Sequence, residues 1–349
     1  MFCRSWLSLT DNSRFLRRSL LATLLLLISL TVIRAQGVGS TRGLSSTGGS
    51  NTIQGRVFFP VDPADGNKRI KVRLESVEAM VSQITFTDDD GSFRFNQLSS
   101  GPYTVVVEAS KEFEAAREPV LLEESGRVVT VQVYLKMKDS AAAFPDIPKP
   151  AIDLYYKALE SVKKGDNKKV TDQLNSAIGM APKFTAALGE LGLQYLKLGQ
   201  PDKAAEPLKK AIELSPKDFM TRLNYGIALF GKKNYGEAEP QLREALKLKS
   251  AAPTAHMYLG ITLLSLSRDE KTKQFNPAKW SEAQTELETA VRTGKDEVAQ
   301  AHRYLGGIYW GNKDYKRAAD EFEVYVKLEP KAADADKIRA SIQDLRSKQ

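Results

Sequence analysis

The chain has 349 residues, with 51 Lys+Arg, 43 Asp+Glu, two histidines and one cysteine; 42% of it is hydrophobic and 27% charged. Such a length leaves room for two or more domains. One cysteine excludes a disulfide framework and a Cys-based zinc or iron–sulfur centre, and two histidines leave little for a His-rich metal site or a His-dependent triad.

The first predicted element is a leader. Residues 1–35 carry Arg4, Arg14, Arg17, Arg18 and Arg34 against Asp11, so half of the net charge of +8 sits there. The remainder is close to balance and gives no case for nucleic-acid binding. Behind the arginines an uncharged, mostly apolar run extends from Ser19 to Ile33. As a helix it would be about 22 Å long, short of the ~30 Å hydrocarbon core. A basic start, a short apolar run and the small Ala35 match a secretory signal, with cleavage expected near Ala35/Gln36 and an exported product that is periplasmic, secreted or at the cell surface. The alternative is an uncleaved N-terminal anchor, the one route to membrane contact. Arg17-Arg18 also resembles a twin-arginine signal faintly, against which the strongly apolar run argues. Cys3 precedes the apolar run and cannot anchor a lipid at the cleavage site.

Residues 36–51 are a Gly/Ser/Thr-rich linker. From Thr52 to Met137 the pattern has period two: Ile53, Gly55–Phe59, Lys71–Glu75, Ile84–Thr87, Phe93–Phe95, Tyr103–Val107 and Val129–Leu135 read as short strands. Turn signals separate them at Pro60–Asn67, Asp88–Gly91, Ser99–Pro102 and Glu123–Gly126. About seven strands without a helix predict a small antiparallel β-sandwich over 52–137. Asp88-Asp89-Asp90-Gly91 could bind calcium, but an EF-hand loop needs Glu at its twelfth position, where this chain has Ser99. The favoured reading is an acidic hairpin turn with Gly91 at positive φ. Residues 138–150 hold three prolines and mark a stiff boundary.

From Ala151 onward the period is helical and the chain repeats itself. Ala158, Gly192, Gly226 and Gly260 stand 34 apart, and Gly306 follows 46 later. Ala204, Ala238 and Ala318 come twelve residues after the small residue of their units, then Leu208, Leu242 and Phe322 four further on. The physical reading is two antiparallel helices per unit, with a small residue where they cross and proline (Pro182, Pro216, Pro330) ending the second.

These residues, together with Leu188, Leu191, Tyr195, Ala211, Tyr225, Leu229, Tyr235, Ala245, Leu305, Tyr309 and Tyr315, make residues 151–331 resemble the tetratricopeptide repeat (TPR) family. Five units are expected: 151–184, 185–218, 219–252, 253–298 with an insertion at Ser267–Trp280, and 299–332. The first departs from the pattern, with Ala158 for Gly and Val170 for the second-helix Ala. Ile338, Ile342 and Leu345 place a capping helix in 333–349. The fold class is thus a β-sandwich followed by an all-α superhelical solenoid. The strand region, through Ile53-Gln54-Gly55-Arg56-Val57, Thr87–Phe95 and Leu98–Val105, resembles the carboxypeptidase regulatory-like, transthyretin-like sandwiches, without a zinc constellation that would imply peptidase chemistry.

The family resemblance also implies a binding face on the concave side. Its positions fall on Tyr155 and Leu159 in the first unit, on Leu193 and Leu196 in the second, and on Met220, Leu223, Ile227 and Phe230 in the third. The fourth contributes Met257, Ile261 and Leu264, and the fifth Arg303 and Trp310. That face is mostly apolar and lacks the Lys/Asn/Arg array that clamps a C-terminal carboxylate. An exposed apolar stripe asks for a protein or peptide partner. The alternative is self-coverage by the 138–150 linker, the insertion or the sandwich. His256 and His302 occupy the fourth position of their units and read as core filler. No phosphate-binding loop, nucleophile elbow or dinucleotide fingerprint is present, so no cofactor and no catalysis are expected. The expected function is a non-enzymatic interaction scaffold. The competing reading is surface adhesion or glycan binding through the sandwich, where Phe58, Phe59, Phe93, Phe95 and Tyr103 read as core before platform.

Overall fold

The computed structural model describes residues 49–348 except 61–62, 64–68, 77–81, 89–90, 124–125, 140–143, 269–273 and 295–296. The leader, most of the Gly/Ser linker, Asp89 and Asp90 of the acidic turn and the middle of the insertion therefore lie outside the described residues. The chain divides into two compact units, which among the described residues are 49–186 and 187–348.

Seven strands form in the first unit: β1 (Asn51–Phe58), β2 (Lys71–Ser76), β3 (Ser82–Phe86), β4 (Ser92–Leu98), β5 (Gly101–Val107), β6 (Ala116–Leu122) and β7 (Val128–Tyr134). They make one sheet in the order β4-β1-β7 and another in the order β3-β2-β5-β6. Alternation decides which side is buried: Ile53 and Val57, Val72 and Leu74, Phe93 and Phe95, Val105 and Val107 all meet in one core. Two features differ from the expected sandwich. Strand β6 was not among the segments read as strands, because Pro119 interrupts its pattern; as the edge of its sheet it needs no ladder bond on its outer side. And β1 pairs in parallel with β7, Ile53 opposite Val129 and Val57 opposite Val133, so the sandwich is not antiparallel throughout. The first and last strands run the same way because the intervening crossovers return the chain beside its start. At the acidic turn Gly91 takes φ +81°, and the Asp88 carboxylate accepts from the Ser92 backbone N–H at 2.8 Å, which is turn chemistry.

Eleven helices follow among the described residues: α1 (Lys149–Lys163), α2 (Asn167–Met180), α3 (Thr185–Lys197), α4 (Pro201–Leu214), α5 (Phe219–Gly231), α6 (Tyr235–Leu248), α7 (Pro253–Leu266), α8 (Pro277–Gly294), α9 (Ala299–Gly311), α10 (Tyr315–Leu328) and α11 (Ala335–Ser347). None is long and apolar enough to cross a membrane.

The hairpins are closed by the residues the 34-step spacing singles out. A Cβ on Gly192 would lie 2.3 Å from Leu208, one on Gly226 2.8 Å from Leu242, one on Gly260 2.7 Å from Leu287 and one on Gly306 2.6 Å from Phe322. Each glycine thus admits the large side chain of its partner helix, which no other residue could do without shifting that chain. Four of the turns between the helices of a pair share one geometry. The second residue past the first helix is left-handed, Gly165 and Gly199 in two turns but Lys233 (φ 63°) and Lys313 (φ 62°) in two others. In each, two backbone N–H groups return to the end of the first helix, as in Lys233 to Phe230 and Asn234 to Leu229. At the C-terminal end α11 buries Ile338 and Leu345 and leaves Asp336, Lys337 and Arg339 in solvent.

The first hairpin shares its unit with the sandwich. Phe144, from the proline-rich segment, packs edge-on against Tyr155 and Phe184, with ring centroids 6.3 and 5.0 Å away. The Met137 backbone N–H donates to the Tyr156 hydroxyl at 3.2 Å, Lys136 pairs with Glu160 at 2.9 Å and Lys163 with Glu118 at 2.5 Å.

Candidate partner-binding face

The expected face has to be read unit by unit. In residues 49–186 it is closed: Tyr155 and Leu159 are buried, and Tyr155 lies under Phe144. The linker covers this position itself, so these two residues are not open to a partner as the exposed stripe required.

In residues 187–348 the expected positions separate by depth. Leu196, Leu223, Ile227, Phe230, Met257, Ile261 and Leu264 are buried and belong to one contiguous hydrophobic cluster. Phe230 has no exposed area and sits between the rings of Tyr235 and Tyr258, at 5.7 and 5.5 Å. These seven are therefore core rather than an open stripe. Position within a repeat tells which side of a helix a residue occupies; it does not tell how far the neighbouring repeats close over it. Leu193, Met220 and Trp310 remain half-buried, Trp310 with its ring edge-on to Phe322 at 6.3 Å. Arg303 is engaged inside the chain: its Nε donates to Asp334 at 2.5 Å, and the Tyr325 hydroxyl donates to the other oxygen of that carboxylate at 2.7 Å. Burial would raise the Asp334 pKa, but the Arg303 charge and the bonds from Tyr325 and Arg303 outweigh it and hold the carboxyl below its usual value. Arg303 thereby ties α9 to the segment that starts the cap.

The apolar character reaches its maximum in α7. Ala255, Leu259, Gly260 and Leu263 are buried, and so are Met257, Tyr258, Ile261, Thr262 and Leu264, which leaves no polar face along most of its length. Helices with this composition lie inside a fold or against a partner. Two of the buried polar groups here are satisfied within their own helix: Gln194 donates to Glu190 at 2.6 Å, and Thr262 to the Tyr258 carbonyl at 2.7 Å. Desolvation lowers the Lys197 ammonium, opposed by the Glu190 charge. Burial pushes the Tyr258 phenol up to about 12, so it stays protonated and offers no base at neutral pH.

Sequence reasoning missed a repeated polar clasp. The fourth residue of a unit reaches the residue just before the large crossing side chain of its second helix: Arg222 donates to Gln241 at 3.0 Å, His256 Nδ1 lies 2.6 Å from Glu286, and His302 Nδ1 lies 2.6 Å from Glu321. Both histidines are thus clasp residues inside their hairpins, and the Arg–Gln, His–Glu and His–Glu series was the available signal. The insertion is braced similarly. Trp280 Nε1 donates to Asn312 at 3.1 Å, Asn312 to Gln284 at 3.0 Å, and Phe275 packs on Trp280. Among the described residues no three His, Cys, Asp or Glu side chains gather as a metal site. In the sandwich Phe93 and Phe95 are core, Phe59 packs on Phe113, Phe58 stacks on Tyr134 at 4.7 Å, and the Tyr103 hydroxyl donates to the Ser99 carbonyl at 3.0 Å, so each of these aromatics is engaged within the domain.

Comparison with known proteins bears on both halves. Residues 223–271 and 278–335 match one tetratricopeptide-repeat family model, and residues 185–218 match another. Residues 51–135 match the model of a "BOS complex subunit NOMO1-like, second beta sandwich domain". No curated protein sequence matches significantly. Among solved structures, MamA (residues 41 to the end) from Desulfovibrio magneticus RS-1 is similar at 20% identity and a TM-score of 0.45, over 54% of this chain and 99% of that one. PilF of Pseudomonas aeruginosa has 17% identity and a TM-score of 0.43, over 56% and 89%. YrrB, titled a TPR protein with an unusual peptide-binding site, has 16% identity and a TM-score of 0.43, over 57% and 97%. Most of residues 185–335 thus match tetratricopeptide-repeat models, and the sandwich before them is similar to the second sandwich domain of the NOMO1-like subunit.

Proposed function

We propose that this protein is an exported, non-enzymatic scaffold whose repeats hold a segment of a partner protein on their inner helices. The carrying observation is the composition of α5 and α7, apolar on the side that closes their own hairpins and on the side the family uses for ligands. On this reading Leu196, Leu223, Ile227, Phe230, Met257, Ile261 and Leu264 form the floor, and the half-buried Leu193, Met220 and Trp310 are the side chains a partner touches. An apolar floor without a cationic clamp suits an apolar helix or extended segment better than a free carboxylate. Repeat folds of this kind are interaction modules, and the side chains described assemble no nucleophile–base pair, which supports the non-enzymatic reading. Export rests on the arginines, the apolar run and Ala35 of the leader. Partner contact is tested with a photo-crosslinking residue at Met220 in the full chain, in the cell that makes it. One discrete adduct, weakened by Leu193→Asp, is expected; no adduct, or one indifferent to that substitution, rejects the reading. N-terminal sequencing of the processed protein, expected to start at Gln36, tests export.

A further inference from the structure

We propose that His256 is held as an imidazolium and that its extra proton pins the turn between α6 and α7 to α8, making the joint of the third and fourth repeats respond to pH. The argument starts from geometry. His256 lies in the first turn of α7, with Nδ1 2.6 Å from a Glu286 carboxylate oxygen on α8 and Nε2 2.8 Å from the backbone carbonyl of Ser250, just after α6. A carbonyl and a carboxylate both only accept. A neutral imidazole has one N–H, so it can satisfy one of them and must aim a lone pair at the other. Both contacts together call for both ring protons.

The chain supplies its own control. Its one other histidine, His302, fills the same position of the next repeat and meets Glu321 through Nδ1 at 2.6 Å, yet its Nε2 is buried without a partner. The second acceptor, and with it the tie to the preceding repeat, belongs to His256. Among the described residues two charged groups act on His256, and both are on α8: Glu286, which favours the cation, and Arg292, which opposes it. The turn before α7 brings the neutral Ser250 carbonyl, while Lys249 lies over the Phe219 ring. On α6 Lys247 pairs with Glu244, on α5 Arg222 bonds Gln241 and the Pro216 carbonyl, and on α9 Arg303 bonds Asp334. Burial pushes the His256 pKa down, and the Glu286 and Ser250 bonds more than offset this, so it ends above the ordinary histidine value. The sign follows. A raised folded-state pKa gives stabilisation that is complete below the ordinary value and disappears as pH climbs through the raised one. The joint is therefore tight in mild acid and loosens on the alkaline side, whether or not a partner is bound.

The test uses the full chain carrying His302→Gln, which leaves His256 as the sole imidazole for nuclear magnetic resonance. Two protonated ring nitrogens near neutral pH are expected. After correction for intrinsic rates, amide exchange of residues 250–256 is expected to quicken several-fold between pH 6 and pH 9. Glu286→Gln, whose side-chain amide can donate to an unprotonated Nδ1, is expected to flatten that rise while keeping the fold. A singly protonated ring at pH 6, or an exchange profile that Glu286→Gln leaves unchanged, overturns the proposal.

Discussion

The first hairpin and the later ones are the same motif held by different means. From residue 187 onward each hairpin is closed from inside by a glycine that admits Leu208, Leu242, Leu287 or Phe322, and the last three carry a polar clasp as well. The α1–α2 hairpin has Ala158 where the others have glycine, and it draws on its surroundings: Phe144 on Tyr155 and Phe184, Met137 on Tyr156, and two ion pairs to the sandwich. A degenerate repeat can persist when a neighbouring domain supplies contacts that its own helices lack.

The largest effects should come where the later hairpins close. Phe322→Ala empties the space facing Gly306 and is expected to cost about 4 kcal/mol, read as a lower denaturant midpoint for residues 187–348 with the sandwich unaffected. Phe144→Ala tests the other side of the comparison: a loss of about 3 kcal/mol confined to the sandwich and α1–α2, followed by region-resolved hydrogen exchange. Equal protection of α1–α2 in variant and wild type would break the distinction. Asp334→Asn is expected to cost about 2 kcal/mol by weakening the Arg303–Asp334–Tyr325 tie. Because the Asp334 pKa is depressed, this stabilisation is present above the ordinary aspartate value and is lost as pH falls through the folded one. Acid unfolding of the C-terminal repeats should therefore be shallower in the variant. The smallest effect has the opposite sign. Lys233→Gly relieves a left-handed lysine where Gly165 and Gly199 serve other turns, and is expected to stabilise by about 0.5–1 kcal/mol, seen as a raised melting temperature.

What could be read from the chain follows from how local each feature is. The glycine-to-large-residue crossings are legible because both partners recur at fixed offsets. Strand β6 is not, because Pro119 mimics a break that only an edge position forgives. The parallel β1–β7 pair joins residues 76 apart, as in Thr52 and Val128, beyond any short-range pattern. The repeat positions name apolar side chains of the inner helices, but the depth of Leu223 or Phe230 depends on neighbouring repeats. Arg303 looked available because its anion, Asp334, lies 31 residues on and outside the repeat. Phe144 stands in the proline-rich stretch that the self-coverage alternative named, but nothing in its sequence singles out Tyr155 as the ring it packs on.

The β1–β7 pairing also orders events on the ribosome. A nascent chain that has reached residue 122 holds six strands but has one flank of β1 unpaired, and residues 123–133 must still emerge before Ile53 and Val57 gain their neighbours Val129 and Val133. The domain thus closes late in its own synthesis, with its oldest and youngest strands side by side. A chain stopped short of Tyr134 would display the bare edge of β1 as a template for strangers.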